Sequence, residues 1–141
     1  MNKIFTFGDG YATGHIWPEW PQILQAILPG YQVINTAGIG AGAEFLVSGL
    51  VDHLGDMQDQ QAIIQWPIYN RFDKLLQDHT WDNVIANGSV YHFNRVLDSQ
   101  HREWWLSSAS DSVKEYHQKY VQNLQAHRRL EIYQTLVKHT L

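Results

Sequence analysis

The chain has 141 residues, a net charge of −4 at pH 7 and a hydrophobic content of 44%. This length suits one folded domain, and the composition excludes an intrinsically disordered chain. The sequence has no basic cluster, which argues against DNA or RNA as a partner. It also has no cysteine, so disulfides and thiolate metal sites are excluded.

No apolar stretch approaches the roughly 18 residues of a transmembrane helix. The first apolar residues give way to Gly8 and Asp9 too early for the apolar segment of a signal peptide. We therefore expect a cytoplasmic protein with no membrane partner.

The first half of the chain predicts three short strands, over residues 3–7, 32–35 and 61–66. Apolar residues recur at helical spacing over residues 17–28 and 44–54, which predicts a helix between each pair of strands. Right-handed crossovers then make the strands parallel, in the order 2-1-3, with helices on both faces. This is an α/β, flavodoxin-like architecture.

The second half of the chain gives weaker signals. Residues 78–87 indicate an irregular segment, residues 90–95 alternate as a short extended piece would, and residues 101–110 contain two adjacent tryptophans. From about residue 111 to the end, one apolar stripe predicts a long helix. No linker interrupts the sequence, so residues 1–141 are expected to form a single domain.

The segments that leave the three strands should meet at one edge of the sheet. Residues 8–14, 35–42 and 66–73 are rich in Gly, Asp, Asn and Arg. In parallel α/β sheets, ligands bind beyond the carboxyl ends of the strands. This edge is therefore the expected position of a binding crevice, and His15 in the first loop is expected to face it.

The first of these segments, Gly8-Asp9-Gly10, directly follows the first strand, and a further glycine comes four residues after Gly10. It resembles the first sequence block of the SGNH/GDSL hydrolases, in which the strand ends in Gly-Asp-Ser and a glycine follows. In that family the serine attacks an ester carbonyl and its N–H helps to bind the oxyanion. Gly10 keeps the N–H but has no nucleophile. An ordinary strand-to-helix turn would also explain these residues.

The second segment contains Gly38, Gly40 and Gly42 and opens a helix. It resembles the family's second block, in which a glycine N–H donates to the oxyanion, with Gly40 as the best match and Gly42 as the second. The competing interpretation is a nucleotide phosphate loop. The glycine spacing differs from the dinucleotide fingerprint, and Glu44 would repel a phosphate.

The third segment, which includes Tyr69, Asn70 and Arg71, resembles a divergent branch of the same family found in phage-encoded proteins. Asn70 stands near the place of the family's oxyanion-binding asparagine, although the preceding glycine is absent. The resemblance makes all three residues candidates for ligand binding. Alternatively, Arg71 and Asp73 form a surface ion pair of little energetic weight.

The family's last block, Asp-x-x-His, supplies the catalytic base. Asp98 and His101 have this spacing, but no strand is predicted before them, so we interpret the match as coincidental. The resemblance therefore implies that the last family strand and its histidine are missing and that the domain is shortened at its C-terminus. The remaining histidines lack the spacing of a zinc site, and neither a metal nor a cofactor is expected.

These features predict a catalytically degenerate SGNH-like protein that binds a small ligand or acts as a structural, assembly protein. If the phage-type resemblance holds, it would act in the host cytoplasm or the virion. The alternative is an active ester hydrolase that uses other residues, such as Asp9 with His15, or a base from another chain.

A helix of about 30 residues would span about 45 Å, longer than its own sheet needs. We therefore expect a homo-oligomer, or an assembly with another protein, built on the C-terminal helix.

Overall fold

The computed structural model describes residues 1–13, 17–68, 71–77, 80–84, 89–94, 104–108 and 123–141. Its elements, in chain order, are β1 (Asn2–Phe7), a 3₁₀ helix (Gly10–Ala12), α1 (Trp20–Ile27), β2 (Tyr31–Asn35), α2 (Ala43–His53), β3 (Gln61–Ile64), β4 (Phe72–Leu75), β5 (Thr80–Val84), β6 (Ser89–Asn94), β7 (Trp104–Ser108) and α3 (Asn123–Thr140).

The first three strands form a parallel sheet in the order β2-β1-β3, which confirms the α/β prediction. Phe5 of β1 lies opposite Ile34 of β2 and Ala62 of β3. Alternate residues of β1 point to opposite faces of the sheet, and both Phe5 and Ile4 are buried. The central strand is therefore covered on both faces, as a parallel sheet requires.

The main hydrophobic core lies between this sheet and α2. Phe5 and Phe7 pack with Leu46 and Leu50, and Met57 closes the cluster after the helix. Val137 of α3 packs against the same cluster from outside. The α2 boundaries agree with the prediction to within one residue at each end. The core thus fixes α2, and with it the loop that precedes α2, against the carboxyl end of the sheet.

The first helix begins later than predicted, at Trp20 instead of residue 17. Pro18 disfavours the helical conformation at the residue before it. The side chain of Gln22 accepts a hydrogen bond from the Glu19 N–H at 3.1 Å, which satisfies a backbone donor at the start of the helix. These local effects override the apolar spacing that suggested a longer helix.

The second half of the chain contains an antiparallel sheet that the sequence did not reveal, in the order β4-β5-β6-β7. The irregular segment predicted at residues 78–87 is wrong for Thr80–Val84, which is β5. Of the extended piece predicted at residues 90–95, residues 90–94 belong to β6 and residue 95 lies outside the described residues. Since β6 ends at Asn94, a strand does precede Asp98, contrary to expectation. Asp98 and His101 themselves lie outside the described residues.

The antiparallel sheet is joined to the first half of the chain through α2. Phe45 of α2 meets Trp81 of β5 edge to face, with ring centroids 5.4 Å apart. The sequence predicts a long C-terminal helix from about residue 111. The structure describes α3 at Asn123–Thr140, which packs against α2, and residues 111–122 lie outside the described residues. Within the described residues, no helix is long and apolar enough to cross a membrane.

Candidate functional site

The loops that follow β1, β2 and β3 meet at the carboxyl edge of the parallel sheet. The Gly38 N–H donates to the Gly8 carbonyl at 3.2 Å, which ties the second loop to the first. The Gln65 side chain donates to Asp9 at 3.1 Å, which ties the segment after β3 to the first loop. These contacts create the edge at which the sequence predicted a crevice.

Asp9 is buried at this edge and is held from two sides. Its Oδ1 accepts hydrogen bonds from the Tyr11 N–H and from Gln65 Nε2, both at 3.1 Å. Burial raises the pKa of the Asp9 carboxyl, and the Tyr11 N–H and the charge of Arg71 oppose that rise. Asp9 therefore has a fixed orientation and a weakened preference for the charged form.

Gln65 is a site residue that sequence reasoning missed. Its Oε1 accepts a hydrogen bond from Trp20 Nε1 at 2.5 Å, while its amide nitrogen donates to Asp9. It thereby links the first turn of α1 to the loop after β1. A polar residue directly after an apolar strand was the available signal, but its partners are distant in the sequence.

Gly8 and Gly10 have opposite surroundings. A Cβ at Gly8 would lie 2.8 Å from the Cβ of Ala12, so the close approach of the 3₁₀ helix requires glycine there. A Cβ at Gly10 would meet no atom of the described residues within 4 Å. The position at which the resemblance places a serine is therefore open, and packing does not require glycine at it.

The two glycines proposed as oxyanion donors also differ. Gly40 has a φ of 69°, a left-handed conformation that favours glycine. Gly42 is enclosed, because a Cβ there would lie 2.9 Å from Asp73 Oδ2 and 3.1 Å from the Arg71 carbonyl oxygen. The Gly42 N–H donates to both carboxylate oxygens of Asp73, at 2.8 and 3.0 Å. Of these two glycines, only Gly40 therefore remains a candidate N–H donor toward a ligand.

The N-terminus of α2 carries a second polar cluster, which is formed by Asp73, Glu44 and Arg129. Asp73 also accepts from the Phe45 N–H at 2.7 Å, so it caps α2 from β4. Arg129 of α3 pairs with Glu44 at 3.0 Å and donates to the Arg71 carbonyl at 2.6 Å. The pKa of Asp73 is raised to about 7, mainly because the carboxyl is buried and to a smaller extent because of the Glu44 charge.

This cluster corrects the interpretation of Asp73 as half of a surface pair, because Asp73 is buried and its partners are on α2. Sequence reasoning missed its role because the hydrogen bonds to Gly42 and Phe45 span about thirty residues. A carboxylate from the protein itself now occupies the helix N-terminus at which a nucleotide phosphate would bind. This is further evidence against the phosphate-loop interpretation.

The remaining predicted site residues are only partly located. Arg71 is half-buried, and its positive charge lowers the pKa of the Asp9 carboxyl. His15, Tyr69 and Asn70 lie outside the described residues. Within the described part of the chain, no group of three or more His, Cys, Asp or Glu side chains could hold a metal ion.

Comparison with known proteins identifies no relative. No family model, no curated protein and no solved structure matches this chain. The resemblance to the SGNH/GDSL hydrolases therefore stays a prediction based on the three loop segments.

Proposed function

We propose that this chain is a catalytically degenerate SGNH-like protein that binds a small neutral acyl compound at the edge of its parallel sheet without turning it over. The observation that carries the proposal is the open position at Gly10, next to the buried and oriented Asp9. A ligand that reaches Gly10 would meet a backbone N–H but no hydroxyl.

The electrostatics of this edge favour a neutral ligand. Burial weakens the tendency of Asp9 to ionise, and the charge of Arg71 opposes this effect only in part. An anionic ligand would meet the Asp9 carboxylate, and a cationic one would meet Arg71. An ester or amide carbonyl, which accepts hydrogen bonds without a formal charge, fits both neighbours.

The first expected result is an absence of turnover. The wild-type chain should not hydrolyse p-nitrophenyl acetate above background. Gly10 has no hydroxyl that could attack the ester carbonyl, so the covalent step of a Ser-His unit is absent. Gly10→Ser should fit among the described residues yet should not restore hydrolysis, since the resemblance supplies no catalytic histidine to take the serine proton. Robust hydrolysis that disappears in Asp9→Ala would instead support the alternative, an active hydrolase with non-standard residues.

Binding can be tested directly because the chain has no cysteine. The Gly10→Cys variant places one thiol at the open position, and Gly30→Cys is a matched control on an exposed turn with equally free surroundings. Methyl acetate and N-acetylglucosamine serve as neutral acyl probes. A probe at ten times its dissociation constant should slow alkylation by iodoacetamide about tenfold in the Gly10→Cys variant and leave the rate unchanged in Gly30→Cys. Equal rates with and without both probes would reject an acyl-binding edge.

We also propose that the chain self-assembles through α3. Ile132 and Leu136 lie one turn apart on this helix and are 48% and 58% exposed, whereas Val137 packs on the core. A second copy of the chain, packing through the same stripe, would cover these side chains. This arrangement follows the expectation that the C-terminal helix extends the hydrophobic surface beyond its own sheet.

Light scattering coupled to size exclusion tests this assembly. The wild-type chain should elute as a dimer or larger, and the double variant Ile132→Glu, Leu136→Glu should elute as a folded monomer of 16.4 kDa. Ile23→Glu is the control, because Ile23 is an isoleucine of α1 with 51% exposure. It should leave the oligomer intact. A wild-type monomer at all concentrations would rule out self-assembly through α3.

A further inference from the structure

The cluster at the start of α2 joins three separate parts of the chain. Asp73 comes from β4, Glu44 from the first turn of α2 and Arg129 from α3. Arg129 contacts Glu44 through Nη1 and the Arg71 carbonyl through Nη2, so it connects α3 to both α2 and the segment before β4. The proposed acyl-binding edge does not use these side chains, so the cluster has a role still to be explained.

The cluster holds two acidic side chains and one basic side chain in a buried place. The Asp73 side chain is fully enclosed, and the side chains of Glu44 and Arg129 are only 23% and 24% exposed. Within the described residues, Glu44 Oε2 is buried without a hydrogen-bond partner. If both carboxyl groups are ionised, the cluster carries one uncompensated negative charge away from water, which is strongly unfavourable.

One proton bound to the pair removes this uncompensated negative charge. Asp73 accepts hydrogen bonds from the N–H groups of Gly42 and Phe45, the residues around Glu44 in the first turn of α2, so the two carboxyl groups lie close together. Two carboxylates, however, can only accept hydrogen bonds. When one is protonated it can donate to the other, and the remaining charge is balanced by Arg129. The protonated cluster is therefore neutral overall and satisfied, whereas the deprotonated cluster is neither.

We propose that the Glu44–Asp73 carboxyl pair is a proton-operated clamp that holds α3 against α2. With one proton on the pair, α3 is docked; when the proton is lost, α3 loosens and water reaches the carboxylates. The attraction of Arg129 for a second negative charge opposes this loosening. It is outweighed because a second charge kept away from water costs more than its attraction to Arg129 returns.

Among the described residues, the other titratable groups near the pair do not provide the switch. From α3, Tyr133 faces the cluster, and burial raises the pKa of its phenol, which therefore stays neutral at neutral pH. From the segment before β4, Arg71 contributes its carbonyl oxygen to Arg129. Because Arg71 also acts electrostatically on Asp9, loosening α3 would alter the edge of the parallel sheet as well.

Hydrogen exchange of the full chain tests the clamp. Amide exchange is followed by mass spectrometry at pH 6 and pH 8.5, after correction for the intrinsic pH dependence of exchange. In the wild type, amides of α3 should lose protection roughly tenfold at the higher pH, since each pKa unit of coupling corresponds to a factor of ten. Amides of α1, which does not contact the cluster, should change by less than twofold.

Two variants complete the test. Asp73→Asn removes the main titrating carboxyl but keeps every histidine of α3, so the pH dependence of its α3 protection should become much smaller. Asp59→Asn removes an exposed carboxyl and should behave as the wild type. If Asp73→Asn does not fold, Glu44→Gln serves instead: in this variant Arg129 balances an ionised Asp73, so the loss of α3 protection at the higher pH should likewise become much smaller. Equal α3 protection at both pH values in the wild type, or an unchanged pH response in the folded variants, would overturn the proposal.

Discussion

Replacing Phe45 by alanine is expected to lower the free energy of unfolding by about 3–5 kcal/mol, the usual loss for a fully buried phenylalanine. Phe45 is 0% exposed and forms a small core with Ala41 and Trp81. Its ring meets Trp81 at 5.4 Å in an edge-to-face arrangement, which adds to the loss. Domains of this size are stable by only about 5–15 kcal/mol, so the variant should be close to unfolding.

Urea unfolding monitored by circular dichroism measures this effect. Val51→Ala is the matched control, because Val51 lies on the same helix with 60% of its side chain exposed, and it should change stability by less than about 0.5 kcal/mol. Phe45 packs directly on Trp81 and so joins α2 to the antiparallel sheet. A loss below about 1 kcal/mol would therefore mean that β5 does not pack on α2 as described.

The parallel half of the fold could be predicted because its signals are local. Each of the first three strands is a short apolar run next to glycine or proline, and each helix shows apolar residues at helical spacing. Once the order of elements is strand, helix, strand, helix, strand, the handedness of the crossover leaves few topologies. The strand order β2-β1-β3 followed from the flavodoxin-like topology expected for such a chain and not from any single residue.

The antiparallel half could not be predicted because its strands depend on distant contacts. β5 contains Asp82 and Asn83, residue types that are depleted in strands. Asn83 is fully buried and donates to the Ile39 carbonyl at 3.1 Å, a contact over forty-four residues. Such a contact compensates for poor strand propensity, but no local pattern reveals it.

The residues of the candidate site also divide into those that local sequence identified and those that it did not. The glycines and Asp9 were identified from their positions after strands, which is local information. Gln65 and the cluster of Asp73, Glu44 and Arg129 were missed, because their roles arise from partners on other elements. Polar residues in a loop sequence give no indication of which one will be buried, and burial determines their chemistry here.

The pH dependence of stability should have an unusual direction for an acidic side chain. The folded state raises the pKa of Asp73 from 3.8 to about 7 and therefore binds its proton more tightly than the unfolded state does. The resulting stabilisation is fully present below about pH 4 and is lost as pH rises through about 7. Each pKa unit corresponds to about 1.4 kcal/mol, so the loss is about 4 kcal/mol at most.

This dependence can be measured from the free energy of unfolding in urea at pH 5 and at pH 8. The wild-type chain should be more stable at pH 5, whereas most surface carboxylates leave stability nearly constant over this interval. In Asp73→Asn the difference should become much smaller. A residual difference of the same sign should persist, because burial also raises the pKa of Glu44 and of Asp9. Asp59→Asn, which removes an exposed carboxyl, should retain the full difference. If wild-type stability instead rises between pH 5 and pH 8, Asp73 is ionised without penalty in the folded protein, and the cluster is more hydrated than its burial indicates.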